Sequence, residues 1–140
     1  MQVGVAVMDT GVFRHRDFGN RIIGFADFVN GQKYVYDDNG HGTHVSGILG
    51  GSGLLSKGRY RGIAPECTLI CGKVLDKKGG GSLKNLTNGL IWISDLVRKY
   101  PIRILNISIE MESEDGIDPR DWEEFRKYIR YLWDRNIMIV

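Results

Sequence analysis

"VGVAVMD", residues 3–9, decides how the rest of the chain is read. It is a short apolar run closed by the turn signal Thr10-Gly11, which suits a strand buried on both faces. Such strands belong to parallel sheets covered by helices. The neighbouring segments agree. "RIIGFADF" (21–28) reads as a second strand, placed at an edge. "GHGTHVSGILG" (40–50) is helical beyond its first glycines, and "GSGLLSKGRYRGIAP" (51–65) is a loop rich in Gly, Ser and basic residues. "TLICGKVL" (68–75) is apolar and β-branched enough for a central strand.

Ser82 can cap a helix that runs to about Tyr100, with Leu83, Leu86, Leu90, Ile93 and Val97 as its buried stripe. Pro101 ends it, and "IRILNIS" (102–108) is the next strand. Asp118 as N-cap and Pro119 in the first turn open a last helix lined by Trp122, Phe125, Ile129 and Leu132. "IMIV" (137–140) starts a further strand. This alternation predicts an α/β fold in three layers, with a mainly parallel sheet and helices on both faces.

The 140 residues make one ordinary domain, without internal repeats, low-complexity tracts or linkers. A hydrophobic content of 42% is enough to build a core. A formal charge of +2 argues against a dedicated nucleic-acid or membrane surface. No apolar run approaches the roughly 18 residues of a membrane span. The apolar start lacks a basic leader and a cleavage site, so it reads as a strand and not a signal peptide. Cys67 and Cys71 share one face of a strand, but about 3.3 Å per residue puts their Cα atoms roughly 13 Å apart. That is too far for a disulfide or a shared metal, so both are expected to be buried free thiols.

Open α/β sheets place ligands at the carboxyl ends of their strands, and Asp9 stands at such an end. By itself it could be a turn or capping aspartate. His41 and His44 open the next helix. They could be incidental. They could hold a metal from one helix face, but no HExxH accompanies them. Or one could be a general base whose tautomer Asp9 fixes, with Gly40 and Gly42 allowing close approach. "GGGS" before a helix lacks the spacing of a phosphate loop. "DTG" is shared with aspartic proteases, which need a second carboxylate arm and leave "HGTH" unexplained. Arg120, Arg126, Lys127 and Arg130 alternate with Glu123 and Glu124, as on a solvated helix face.

Taken in order, "VAVMDTGV", "NGHGTHVSGILGG", "RGIAPECTLICGKVLDKKGGGS" and "ILNIS" closely resemble the subtilisin-like serine protease family, over residues 3–140. The resemblance implies a subtilisin-like fold, incomplete here, with residues 1–140 as the N-terminal half of the peptidase domain. It implies that Asp9 is the orienting acid and His41 the general base of an Asp-His-Ser triad. His44 would be structural and packed within the helix. Leu75 would border the pocket beside the scissile bond. Gly79, Gly80 and Gly81 would form one edge pairing with an extended peptide substrate, and Ser108, Ile109 and Glu110 the opposite edge. Leu83 and Leu86 would line a more distant apolar subsite; for Leu86 plain helix core fits as well.

The departures are specific. Where the family has Ser-Leu-Gly, this chain has Ser108-Ile109-Glu110, which adds a charge and loses glycine's freedom. The loop 52–61 lacks the family's asparagine-bearing calcium loop, so no metal or cofactor is carried over. The family's catalytic Ser and oxyanion Asn fall outside these residues. The expected partners are therefore polypeptide substrates and the remaining C-terminal half of the domain, with no nucleic acid and no membrane. Residues 1–140 alone are expected to be inactive. The rival reading is a non-catalytic peptide-binding or regulatory fragment on the same scaffold. Localisation is left open: free cysteines lean towards a reducing compartment, while an export signal could precede the segment.

Overall fold

The computed structural model describes residues 2–109 and 116–140. Its axis is β1 (Gly4–Asp9), buried at every position. Parallel pairing sets β1 between β3 (Thr68–Lys73) and β4 (Ile102–Ile107). β2 (Ile22–Asp27) lies outside β3, and β5 (Met138–Ile139) outside β4. The strand order is β2-β3-β1-β4-β5, all parallel. β2 is thus the edge strand the sequence suggested.

Alternation along β1 divides the core in two. Val5 and Val7 pack with Val12, Phe18, Leu69, Cys71, Val45 and Leu49 on the side of α1 (His41–Gly50). Ala6 and Met8 face the other way. There they meet Leu86, Leu90 and Ile93 of α2 (Leu83–Leu96) and Leu132 of α3 (Pro119–Trp133). Helices therefore cover both faces, one on one side and two on the other. Cys67 and Cys71 are buried free thiols in the α1-side cluster. Burial pushes the Cys67 thiol up and that of Cys71 up to about 12, so both stay protonated and inert.

The caps follow the sequence. Ser82 Oγ accepts from the Asn85 amide, and Asp118 accepts from the Arg120 amide with Pro119 in the first turn. α2 stops at Leu96 and not near Tyr100. The Leu96 carbonyl accepts from both Lys99 N and Tyr100 N, which tightens the last turn. Pro101 also pushes Tyr100 out of helical geometry, so the turn comes before the proline. Leu86, Leu90 and Ile93 are buried as expected, whereas Leu83 and Val97 at the helix ends are half-buried.

α1 uses an inner face that apolarity alone would not pick. Its buried residues are Gly42, Ser46 and Gly50, a four-residue spacing of small side chains. His44 lies away from that stripe and is exposed, so the expectation that it packs within the helix is overturned.

Candidate active site

The carboxyl ends of β3, β1 and β4 lie side by side, and the crossovers diverge there, one through α1 and the other through α2. This is the crevice that open parallel sheets offer to ligands. Asp9 ends β1 with 1% of its surface exposed. Across from it, the first residue of α1 brings His41 Nδ1 to 2.9 Å from both Asp9 carboxylate oxygens. A carboxylate only accepts, so Nδ1 carries the proton and donates it. Nε2 is then left as an acceptor, on a side chain that is 55% exposed. Among the described residues nothing hydrogen-bonds Nε2. The couple is thus dry at the acid and open at the base.

Two close approaches permit this. A Cβ on Gly42 would lie 2.1 Å from the Gly11 carbonyl oxygen, so only glycine lets α1 begin against the Asp9 turn. Gly40, at φ +102°, takes a left-handed conformation just before His41.

Thr10 and Asp37 fasten the two segments together, a pair that sequence reading did not single out. The Thr10 amide donates to Asp9 Oδ1 at 2.6 Å, which orients the carboxylate. Thr10 Oγ1 donates to Asp37 Oδ1 and accepts from the Gly42 amide, both at 2.9 Å. Asp37 also accepts from the amides of Asn39, Gly40 and Thr43 and from the Thr43 hydroxyl. Its position four residues ahead of His41, among turn-forming residues, was the available signal.

Burial alone would raise the Asp37 carboxyl. The donors, led by the Thr43 hydroxyl and the Gly40 amide, outweigh it and hold the group down at about 2. A carboxyl with a depressed folded pKa stabilises fully above its ordinary value of 3.8, and that contribution fades as pH falls towards about 2. Urea unfolding of the complete protein is therefore expected to weaken between these limits, and more steeply for wild type than for Asp37→Asn. Parallel curves would show that Asp37 carries none of the acid dependence.

Apart from Gly80, which lines neither, and Glu110, the sequence-suggested binding residues divide into two neighbouring depressions. Leu75, Gly79 and Ser108 line a cleft of about 260 Å³ together with His41, Thr10 and Asn39. Leu75, Gly81, Leu83, Leu86 and Ile109 line an apolar pit of about 40 Å³ beside it. The glycine run is not a strand of the sheet. Asp76 closes a tight turn by accepting from the Lys78 and Gly80 amides, and Gly79 sits in it at φ +83°. Gly81 then forms a single antiparallel bridge back to Leu75, and all three glycines are exposed. Leu86 is core as well as pit wall, at 3% exposure. Glu110 lies outside the described residues.

The comparisons with known proteins converge. A model described as the subtilase family matches residues 1–139. Serine protease AprX of Bacillus subtilis (strain 168) is 54% identical over 139 residues, 98% of this chain and 31% of the relative. Among solved structures, a cold adapted subtilisin-like serine proteinase superposes with TM-score 0.71 at 30% identity, covering 92% of this chain and 43% of that one. Sphericase superposes with TM-score 0.78 at 25% identity, covering 98% and 44%. The chain therefore spans about a third of the curated relative and under half of the solved ones.

Proposed function

The chain belongs to the subtilase family, and from that membership we propose that it forms the acid–base half of a serine endopeptidase domain. The observation that carries the proposal is the contact between His41 Nδ1 and both oxygens of buried Asp9 at 2.9 Å, with Nε2 open to the cleft side. The nucleophilic serine and the oxyanion donors come from the rest of the domain.

In this mechanism His41 Nε2 takes the proton from the serine hydroxyl as its oxygen adds to the peptide carbonyl carbon. The resulting imidazolium is stabilised by the Asp9 carboxylate. Nε2 then gives the proton to the departing amine as the carbon–nitrogen bond breaks, leaving an acyl-serine. Nε2 then takes a proton from water as its oxygen adds to the ester carbonyl, and returns that proton to the serine oxygen as the acyl–oxygen bond breaks, which releases the acid product and restores both the serine and the neutral imidazole.

Substrate lies extended between two edges, Gly79, Gly80 and Gly81 on one side and Ser108, Ile109 and Glu110 on the other. Main-chain pairing there reads the shape of a chain more than its sequence. Leu75 borders the pocket next to the scissile bond. Leu83 and Leu86 form the wall of the apolar pit, a more distant subsite.

A serine-directed phosphonate probe tests the division of labour. The complete protein is expected to be labelled at a serine outside residues 1–140, and residues 1–140 alone to remain unlabelled. Labelling at Ser46, Ser52, Ser56, Ser82, Ser94, Ser108 or Ser113, or no labelling of the complete protein, would overturn the proposal.

A further inference from the structure

We propose that Lys73 is a positioning residue that holds the substrate edge at Leu75 in fixed relation to the Asp9–His41 couple; the inference rests on the proteolytic reading above. Lys73 is the last residue of β3, and its side chain is 0% exposed. An ammonium taken out of water needs acceptors for its charge and its three protons. Lys73 Nζ has three, at 2.7 Å to the Thr10 carbonyl, 2.7 Å to Asp38 Oδ1 and 2.8 Å to the Leu75 carbonyl.

Those acceptors belong to three different parts of the site. Thr10 follows the acid and orients its carboxylate. Asp38 lies in the loop that delivers His41. Leu75 opens the hairpin that returns at Gly81 and supplies one candidate substrate edge. The main chain already joins the first and third, since Val74 N and Leu75 N both donate to the Asp9 carbonyl. Thr10 Oγ1 ties the first to the second through Asp37 and the Gly42 amide, and Lys73 joins all three through one buried atom. A core ion pair with one partner can often be exchanged for hydrocarbon at little cost. Removing this ammonium instead takes a donor from two main-chain carbonyls and a carboxylate at once.

The geometry predicts a signature that depends on substrate length. An extended peptide lies against Leu75 and Gly81, so a displaced edge misplaces its scissile bond. A single amino-acid ester does not reach the edge and meets only the couple and the serine. Lys73→Met keeps the length of the side chain and removes every donor. In the complete protein it is expected to lower kcat/KM for an extended peptide anilide about 10²-fold, the effect of a misplacement near 1 Å. The single-residue ester is expected to lose less than about threefold. Asp38→Asn leaves the ammonium and both carbonyls in place. Its expected loss is about three- to tenfold on the peptide, with the ester again spared.

Equal losses on both substrates, or none on either, would overturn the positioning role. If Lys73→Met does not fold, Asp38→Asn decides by the same comparison. His41→Ala is assayed beside them. Activity in that variant would defeat the proteolytic reading and this inference with it, whereas equal losses beside an inactive His41→Ala variant defeat only the role of Lys73.

Discussion

His41→Ala in the complete protein is expected to lower kcat by about 10⁶-fold while leaving KM nearly unchanged; the size of that loss is the one known for subtilisin itself, not one derived from these distances. The direction follows from the site. His41 is half out in solvent, so its truncation leaves no buried partner charge other than Asp9, and Asp9 keeps the Thr10 amide at 2.6 Å. The proposed substrate edges belong to other segments and are expected to stay in place. Binding therefore survives while the route for the serine proton disappears. Residual hydrolysis would come from binding and oxyanion stabilisation by the rest of the domain. Steady-state kinetics on a peptide anilide measures the effect, and a loss under about tenfold would remove His41 from the mechanism.

Asp9→Asn comes next, with an expected loss of about 10⁴-fold in kcat, again a magnitude known for triads of this type. The shape of the side chain is retained, so the fold and the Thr10 contact are expected to persist. The chemistry of the contact is not. An amide can present its N–H₂ to Nδ1, which then accepts. The proton moves to Nε2, and the nitrogen facing the cleft becomes a donor that cannot take a proton from serine. Kinetics paired with thermal unfolding separates this from simple destabilisation: kcat collapses while the melting temperature holds. Full activity in Asp9→Asn would show that the 2.9 Å contact to Nδ1 is ornamental.

Much of this architecture is written locally. The apolar run of β1 and its closing aspartate, Ser82 ahead of α2 and the Asp118-Pro119 start of α3 are each decided by a few neighbouring residues. The Asp9–His41 pairing was legible through the resemblance carried by "DTG" and "HGTH" in order, whereas each residue taken alone also fitted a turn or an incidental helix position. What was misread depends on packing between distant segments. His44 belongs to a helix whose inner face is Gly42, Ser46 and Gly50, and small residues carry little apolar signal. Two of them are set by crowding: a Cβ on Gly50 would lie 2.8 Å from Cys67 Sγ, as one on Gly42 would crowd Gly11. Lys73 was passed over within the strand "TLICGKVL", and its acceptors come from segments that the sequence alone does not bring together. The lower end of α2 was extended too far because Pro101 marks where a helix cannot be, not where it ends.

The central place of β1 has a bearing on how the molecule comes into being. The strand is made before both of its neighbours in the sheet, which start at Thr68 and Ile102. Until the ribosome has released β4, a largely apolar strand waits with at least one unpaired side, and closing such distant pairings is slow. The register on both sides of β1 is therefore set only after residue 107 has been made.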